Sequence, residues 1–417
     1  MPYWSFIENE NERNVLTVFV KYALINRVEA STINKILTKT IKMEQIRILT
    51  LWYANNMGAQ LQALALCRFL NAQGDFNCRL LRYHPVNSER SWIYLSKSKY
   101  WKAILKNIIL CFRIDLYLKK KKKNKLMKDF IKKYQLLSDE EYWNYEELHK
   151  TPPSADVFIA GSDQIWNFIL RKDSSFFLDF IPNNTTTKRI AYAPSIADPW
   201  IEKDYADISR YLNNIDYLSV REKDDVKIVE KLSDKKVYHV CDPVFLLESA
   251  VWRKLAITPN YKGEYIFCYF LNPSNLALKL VKKIKKITQL PVIYLNLDLF
   301  RKLKADYTYE VAGPLEFLGF IINAKYVLTN SFHGSAFSII FKKDFSVVHR
   351  KVSNSRLQSL FDIFGLNDRF LDNEKIDDLK LEDLKVDYSK CKIAGKTFIE
   401  ASKKYLLNSI NGSTISL

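Results

Sequence analysis

His333 lies in the segment of the chain that is richest in groups able to do chemistry. Residues 327–341 read as a buried strand, a polar turn and then an apolar helix. In open α/β sheets ligands bind where strands end, and a helix N-terminus offers free N–H groups to phosphate or carboxylate. A histidine there can donate to an anion or transfer a proton near neutral pH. The polar residues of this turn, which could bind such an anion or simply cap the helix, are Asn330, Ser331, Gly334 and Ser335.

A second polar turn, GSDQIWN at residues 161–167, follows an apolar strand. Asp163 could take a proton from a sugar hydroxyl as a general base. Gln164 and Asn167 could orient hydroxyl groups, and Trp166 offers a flat face to a pyranose ring. The same Ser-Asp-Gln sequence is also typical of an ordinary turn and helix cap.

A third polar turn, at residues 55–62, supplies Asn56 and Gln60 as candidate contacts to an acceptor. Its single glycine, Gly58, makes it a weak candidate for a phosphate-binding loop. The turn lacks the glycines of the GxGxxG fingerprint, so a dinucleotide site is not supported.

Arg221 stands just beyond another strand, where its guanidinium could bind phosphate or carboxylate through two hydrogen bonds. The alternative is a salt bridge to Glu222 or another neighbour. Asp242, followed by Pro243, closes the next strand and is interpreted as structural.

No His, Cys and Asp set has the spacing of a metal site and no GxSxG turn is present, so we expect no metal and no cofactor.

The elements that must position these residues alternate between strand and helix from residue 45 onwards. Apolar segments predict strands at 45–53, 78–83, 156–161, 189–194, 217–220, 237–242, 264–271, 291–296, 326–330 and 345–349. Helical spacing is found at 59–74, 274–288 and 315–324. Such alternation, occurring twice, predicts two Rossmann-like, doubly wound α/β domains that face a cleft. The expected division is an N-terminal extension at 1–42, an acceptor-side domain at 43–250 and a donor-side domain with C-terminal helices at 251–417.

The charge of the chain is concentrated in one segment. The 417 residues carry a net charge of +18. Residues 97–133 hold fourteen Lys and Arg against two Asp, which accounts for +12 of that total. The apolar residues in this segment have helical spacing, so residues 97–135 are predicted to be a basic helical insertion. A solvated helix face is the plain interpretation, contact with an anionic membrane is the main alternative, and nucleic acid is disfavoured because the aromatic residues do not interleave with the lysines.

The cysteines and the apolar runs indicate the compartment. Six widely spaced cysteines with no CxxC pair are typical of free thiols in a reducing cytosol. The N-terminus lacks the charged and apolar regions of a signal peptide. The longest apolar runs are well short of the roughly 20 residues that span a bilayer. We therefore expect a cytoplasmic protein, peripheral at the inner face of the membrane if the basic segment contacts lipid.

Taken together and in order, six segments resemble the polysaccharide pyruvyl transferase family. They are ANNMGAQLQALAL (54–66), GSDQIWN (161–167), AYAPSIA (191–197), SVRE (219–222), CDPVFLL (241–247) and TNSFHGSAFSIIF (329–341). The resemblance implies two Rossmann-like domains in a GT-B-like arrangement with the site in the interdomain cleft. It also implies transfer of pyruvate from phosphoenolpyruvate to two hydroxyls of a sugar, giving a cyclic ketal.

The resemblance also implies roles for individual residues. His333 matches the family's motif histidine and is expected to be the general acid or a contact to the donor phosphate. Arg221 matches the arginine after the SV strand and is expected to hold the donor anion. Many relatives carry an arginine two residues before the motif histidine, where this chain has Ser331. Donor binding would then need another cation, with Arg350 and Arg356 as candidates, or the donor itself would differ.

The sequence therefore predicts a pyruvyl transferase that acts on a surface or capsular polysaccharide unit, or on its lipid-linked precursor at the cytoplasmic face. One alternative is a GT-B glycosyltransferase that uses a nucleotide sugar. A second is a membrane-surface binding protein that kept the fold without catalysis. Partners under the first prediction are phosphoenolpyruvate and a glycan or lipid-linked oligosaccharide acceptor.

Overall fold

The computed structural model describes residues 43–85, 114–134, 136–183, 185–296, 303–349, 354–389 and 391–415. Expectations for residues 1–42, for the first part of the basic insertion and for Arg350 fall outside these ranges.

The first half of the chain builds a parallel sheet from five strands. They are β1 (Glu44–Leu49), β2 (Phe76–Tyr83), β3 (Leu137–Tyr142), β4 (Val157–Ala160) and β5 (Lys188–Ala191). Their order is β3-β2-β1-β4-β5. Two more parallel strands follow, β6 (Leu218–Val220) and β7 (Val237–His239), and a bridge from Ile190 to Tyr217 connects them to the edge at β5. The central strands are buried on both faces, as expected of a sheet covered by helices.

The second half builds a six-stranded parallel sheet. Its strands are β8 (Ile266–Tyr269), β9 (Val292–Leu295), β10 (Tyr307–Tyr309), β11 (Tyr326–Thr329), β12 (Asp344–Val348) and β13 (Phe370–Leu371). Their order is β10-β9-β8-β11-β12-β13. The chain order reverses between β1 and β4 in the first sheet and between β8 and β11 in the second. Such switch points are where doubly wound sheets bind ligands, and the predicted polar turns follow β1, β4 and β11.

Twelve α-helices are found in the described residues. They are α1 (Met57–Asn71), α2 (Ile114–Tyr134), α3 (Tyr145–Lys150), α4 (Tyr205–Asn213), α5 (Lys223–Glu230), α6 (Ser249–Leu255), α7 (Asn275–Thr288), α8 (Pro314–Asn323), α9 (Phe332–Ile340), α10 (Ser355–Phe364), α11 (Asn373–Asp378) and α12 (Lys392–Asn411). Helices α1 and α8 pack against each other and join the two halves. Helix α12 returns to the first sheet, where Tyr405 donates to the carbonyl of Ala191 on β5 over 3.1 Å.

All ten predicted strands and the three predicted helices are confirmed, with bounds shifted by a few residues. Strands β3, β10 and β13 were not predicted. Strand β3 has the polar sequence LSDEEY, and β10 and β13 are only three and two residues long. The second part of the basic insertion is helical as predicted, and α2 buries Met127 and Phe130 against the core.

The structure bears on the predictions about the cysteines and about membrane-spanning segments. Cys67, Cys78, Cys241, Cys268 and Cys391 are buried free thiols. Within the described ranges, no helix is both long enough and apolar enough to cross a membrane.

Candidate active site

The switch points of the two sheets converge on a buried arginine. Arg221 directly follows β6, and its side chain is only 2% exposed. Its Nη1 donates to Asp242 Oδ2 over 2.8 Å and its Nε to Glu222 Oε1 over 2.9 Å. The guanidinium lies over the ring of Phe332, 4.6 Å from the centroid. Burial alone would lower the pKa of Arg221, but the Glu222 and Asp242 carboxylates raise it above its usual value, so the group stays charged.

Asp242 connects this arginine to the second half of the chain. One oxygen, Oδ1, accepts from the backbone N–H of Val244 over 3.0 Å and caps a short 3₁₀ helix, Pro243–Phe245. The other, Oδ2, lies 3.6 Å from His333 Nε2. Burial opposes ionisation of this carboxyl, yet the interactions with His333 and Arg221 lower its pKa well below the usual range. Asp242 is therefore a fixed negative charge between an arginine and a histidine.

His333 reaches this carboxylate from the first turn of α9. Ser331 caps that helix by accepting from the Gly334 N–H over 3.4 Å. The imidazole lies directly on Gly58 of α1, where an added Cβ would fall 2.0 Å from His333 Nδ1. A glycine at position 58 is therefore required for the histidine of one half to sit against the helix of the other.

Two buried nitrogen atoms at this point make no hydrogen bond with any residue that the structure describes. They are Arg221 Nη2 and His333 Nε2. Both belong to side chains that contact Asp242, and Arg221 Nη2 lies 4.0 Å from Asp163 Oδ1. Buried polar groups are nearly always hydrogen-bonded, so a pair of exceptions requires an explanation. An anionic ligand that accepts from both nitrogens provides one.

Asp163 holds its carboxylate beside this pair in a strained backbone conformation. Its φ is 70° and its ψ is −170°, a region that non-glycine residues rarely occupy. Its carbonyl fixes the turn by accepting from Ser195 N over 2.9 Å. Strain of this kind costs on the order of 1–3 kcal/mol and concentrates at functional sites. The side chain is 12% exposed, so a ligand hydroxyl can approach it.

Gln164 and Arg356 connect the two halves next to this carboxylate. With the Gln164 amide assigned so that its oxygen faces Arg356, that oxygen accepts from Nη1 and Nη2 of Arg356 over 2.6 and 2.8 Å. Arg356 lines the same small cavity as Arg221, Asp242 and Phe332. Arg356, which the sequence suggested as a substitute for an arginine at position 331, therefore lies in the cluster.

The structure thus brings together His333, Arg221, Asp163, Gln164 and Ser331, which were predicted as site residues. The alternative proposed for Arg221, a salt bridge to Glu222, is also present. Its Nη2 makes no hydrogen bond within the described residues.

Other predicted residues have structural contacts instead. Trp166 is fully buried, its indole N–H donates to the carbonyl of Phe176 over 3.1 Å and its ring stacks on Phe177. The expectation that Trp166 offers a face to a sugar is therefore wrong. Asn167 is 1% exposed and its amide donates to Asp198 over 3.0 Å.

The remaining predicted residues support the two switch points. Asn330 pairs with both backbone polar groups of Leu271, accepting from N over 2.7 Å and donating to O over 3.0 Å. Ser335 donates to the Ser331 carbonyl over 3.1 Å. An added Cβ at Gly334 would fall 2.5 Å from Thr329 Oγ1, so any residue other than glycine would require Thr329 to shift.

Asn56 and Gln60 shape the turn that precedes and opens α1. Asn56 accepts from Gly58 N over 2.9 Å and so caps α1. Gln60 is fully buried, and its amide donates to the carbonyl of Ala54 over 3.0 Å.

Sequence reasoning missed Asp242, which was interpreted as structural only. Asp242 caps its 3₁₀ helix with one oxygen, as a structural residue would, but its other oxygen lies between Arg221 and His333. The residue type and the strand end were visible in the sequence. Contact with His333 depends on how the two halves meet, which local sequence does not show. Within the described residues, no group of three or more His, Cys, Asp or Glu could hold a metal ion.

The sequence comparisons identify the family. A family model for polysaccharide pyruvyl transferases matches residues 56–348, more than half of the chain. The chain belongs to the polysaccharide pyruvyl transferase family. No curated protein matches the chain.

The chain is similar to several solved structures, and the one with a TM-score above 0.5 shows the fold of this transferase. A protein from Listeria monocytogenes assigned as a UDP-N-acetylglucosamine 2-epimerase is 8% identical, with 90% of this chain and 98% of that chain covered and a TM-score of 0.52. MnaA of S. aureus in complex with UDP is 11% identical, covering 90% and 100%, with a TM-score of 0.49. UGT89C1 of Arabidopsis thaliana with quercetin is 13% identical, covering 89% and 96%, with a TM-score of 0.42. The transferase has two Rossmann-like domains in a GT-B-like arrangement.

We expect Gly58→Ala to lower the transfer rate of this pyruvyl transferase at least tenfold without unfolding it. The added methyl would displace the His333 ring, and small displacements of a reacting group cost large factors in rate. Gly58 is the second residue of α1, and alanine is otherwise a good helix former. Rates and thermal unfolding of both proteins test this. In a double variant with Gly58→Ala and His333→Ala, the glycine change should reduce the rate little further. Additive reductions in rate would contradict the explanation that Gly58→Ala acts by displacing His333.

We also expect Asp225 to make the stability of the transferase depend on pH. Burial and the neighbouring Glu222 carboxylate raise the pKa of Asp225 to about 9. The folded protein therefore binds a proton that the unfolded chain releases near its ordinary pKa of about 3.9. This contribution to stability is present at low pH and is lost as the pH rises towards 9.

Asp225→Asn should therefore flatten the decline in stability with pH. Asparagine still provides an oxygen for the Ile196 N–H, which donates to Asp225 over 3.2 Å, and it carries no titrating group. Urea unfolding of both proteins at pH 5, 7 and 9 measures the effect. Parallel curves for the two proteins would contradict the assignment.

Proposed function

We propose that this transferase moves pyruvate from phosphoenolpyruvate to two hydroxyls of one sugar in a surface polysaccharide or its lipid-linked precursor. The observation that carries the proposal is the pair of buried nitrogens, Arg221 Nη2 and His333 Nε2, without hydrogen bonds to the described residues. Phosphoenolpyruvate carries a phosphate and a carboxylate, and both anions bind well to guanidinium and imidazolium groups. The nine-residue helix α9 adds its positive N-terminal end at the same point.

The reaction requires a proton donor, a base and an anion-binding site. The methylene carbon of the enol accepts a proton and becomes the methyl group, which leaves positive charge on the central carbon. One sugar hydroxyl bonds to that carbon, the C–O bond to phosphate breaks, and the second hydroxyl completes the ketal. Of the two hydroxyl protons, one balances the proton on the methyl group and the other leaves on phosphate.

The cluster offers a group for each requirement. We assign protonation of the methylene carbon to His333 Nε2, which lies 3.6 Å from Asp242 Oδ2 and makes no hydrogen bond to the described residues. Asp163 is placed to take hydroxyl protons, and its Oδ1 lies 4.0 Å from Arg221 Nη2. Arg221 holds the donor anion, and the Asp242 carboxylate, 3.6 Å from the ring of His333, provides a negative charge that stabilises positive charge on the central carbon.

Arg356 supports the same donor despite Ser331. In the absence of an arginine at position 331, a second cation is needed to bind a donor with two anionic groups. Arg356 already lies against Gln164, on the edge of the cavity that contains Arg221. We propose that it provides this cation.

A comparison of donors tests the proposal. The purified protein is incubated with a glycolipid extract of the source cell and with either phosphoenolpyruvate or a nucleotide sugar. Release of phosphate from phosphoenolpyruvate that depends on the extract is the expected result. Release of UDP or GDP from the nucleotide sugar, with no use of phosphoenolpyruvate, would overturn it.

For the lipid-linked acceptor we propose a membrane contact at the cytoplasmic face through the lysine run of α2. Replacing Lys119 to Lys123 by glutamine is expected to reduce sedimentation with anionic vesicles, because each basic residue near such a surface contributes about 1 kcal/mol. Lys119 also pairs with Glu310, so part of the run has a structural contact.

Helix α7 provides a matched control with five lysines, which are Lys279, Lys282, Lys283, Lys285 and Lys286. Replacing these by glutamine should leave sedimentation unchanged. Equal losses in the two variants would mean that net charge, and not the α2 surface, binds the vesicles.

A further inference from the structure

A second cavity, of about 700 Å³, opens at the carboxyl edge of the first sheet. It collects residues that follow four neighbouring strands: Tyr53 after β1, Tyr83 at the end of β2, Tyr145 after β3 and the segment 170–174 after β4. We call it the tyrosine cleft. None of the residues predicted from the sequence lines it. Its volume lies in the upper part of the range of about 300–1,000 Å³ that is typical of ligand sites.

The lining of the tyrosine cleft combines apolar rings with groups that bind hydroxyls. Tyr53 and Tyr145 provide partly exposed ring surface, whereas Tyr83 is only 1% exposed. The hydroxyl groups of two of these tyrosines are fixed by hydrogen bonds. Tyr83 donates to Asp173 Oδ2 over 2.7 Å, and Tyr145 donates to Asp179 Oδ2 over 3.0 Å. Sugars present a C–H face and a rim of hydroxyls, so they fit surfaces of this mixed kind.

The charges that line the tyrosine cleft balance. Arg171 and Lys172 face Glu146 and Asp173, two cations and two carboxylates. Lys172 also pairs with Asp204, 3.1 Å away, so the surroundings of the cleft hold no excess of positive charge. Such a lining favours a neutral ligand over a nucleotide or a free phosphate.

The tyrosine cleft adjoins the proposed base. Arg171 Nη1 donates to the carbonyl of Gln164 over 3.5 Å, so the wall of the cleft and the turn that carries Asp163 are connected. Burial and the carboxylates of Asp173 and Asp163 raise the pKa of Tyr53, although Arg171 opposes this. A ligand in the cleft can extend towards Asp163.

We infer that the tyrosine cleft binds the acceptor as a neutral oligosaccharide of two or more pyranose units, with one unit placed against Asp163. The rings of Tyr53 and Tyr145 contact the C–H faces, and Arg171 and Glu146 bind hydroxyls. This inference rests on the proposed function for its role in catalysis, but not for binding itself.

Binding without donor tests the inference on the full-length protein. The probes are oligosaccharides released by mild acid from glycolipids of the source cell and separated by size, and saturation-transfer NMR detects them. Fractions with two or more sugars should bind, and single sugars should bind at least tenfold more weakly. Tyr53→Ala and Arg171→Gln should each weaken binding about tenfold, which corresponds to about 1.4 kcal/mol. Tyr53→Phe, which keeps the ring, and Tyr205→Ala, on the exposed face of α4, should bind as the native protein does.

The outcomes separate the cleft from the chemistry. The inference is overturned if no fraction binds, if single sugars bind as tightly as longer ones, or if Tyr53→Ala and Arg171→Gln both bind normally. Lost binding in these variants, together with no use of phosphoenolpyruvate by the native protein, would support the cleft and contradict the pyruvyl donor. Normal binding in the variants, together with pyruvyl transfer by the native protein, would support the pyruvyl donor and contradict the cleft as the acceptor site.

Discussion

Replacing Arg221 by methionine is expected to lower the free energy of unfolding by about 3–5 kcal/mol, the usual cost of removing one partner from a buried ion pair. The guanidinium is 2% exposed and compensates two carboxylates that are equally buried, Asp242 and Glu222. Without it, both charges would lie in the core next to Asp163. Because native domains are stable by only about 5–15 kcal/mol, such a loss is large.

Urea unfolding at neutral pH measures this effect, and Arg210 provides the control. Arg210 Nη2 lies 3.0 Å from Asp207 Oδ1, but these side chains are 66% and 63% exposed. Exposed pairs contribute about 0–1 kcal/mol, so Arg210→Met should change little. If Arg221→Met were as stable as Arg210→Met, the carboxylates around Arg221 would not be the charged cluster described above.

Replacing His333 by alanine is expected to reduce the rate of pyruvyl transfer by a factor of about 100 or more, as for the loss of a general acid. In the proposed mechanism His333 Nε2 protonates the methylene carbon, and no other histidine contacts Asp242 in the described residues. Asp163→Asn should have an effect of similar size, because an amide cannot accept the hydroxyl protons. The rate should fall while thermal unfolding stays near that of the native protein.

His349 is the matched control for this experiment. It is an exposed histidine that stacks on Phe370 at 4.4 Å, at the end of β12. His349→Ala should transfer pyruvate at the native rate. A rate for His333→Ala above one tenth of the native rate would contradict a role in proton transfer.

The sequence was sufficient to predict most of the fold, because the central strands of a parallel sheet are continuous apolar runs. It was insufficient at the edges, where β3 is polar and β10 and β13 are too short to show a pattern. For the site, the rule that ligands bind at strand ends was enough to select Asp163, Arg221 and His333.

The parts of the site that could not be predicted depend on contacts between distant segments. Gly58 of α1 contacts His333 of α9, and Gln164 after β4 contacts Arg356 of α10, because the two halves of the chain pack together. Trp166 was predicted to contact a ligand but is buried in the core. Its position next to Gln164 in a polar turn favoured exposure, but a three-residue 3₁₀ turn directs its indole into the core.

The transfer of label from phosphoenolpyruvate to a glycan tests the central claim most directly. Phosphoenolpyruvate labelled at the carbon that becomes the ketal centre is incubated with the native protein and the glycolipid extract, and the recovered glycan is analysed by NMR and mass spectrometry. The account predicts a labelled carbon bonded to two sugar oxygens, a carboxylate and a methyl group, with one phosphate released per ketal and none from His333→Ala. A glycan that gains no label from phosphoenolpyruvate but gains a sugar from a nucleotide sugar would contradict it.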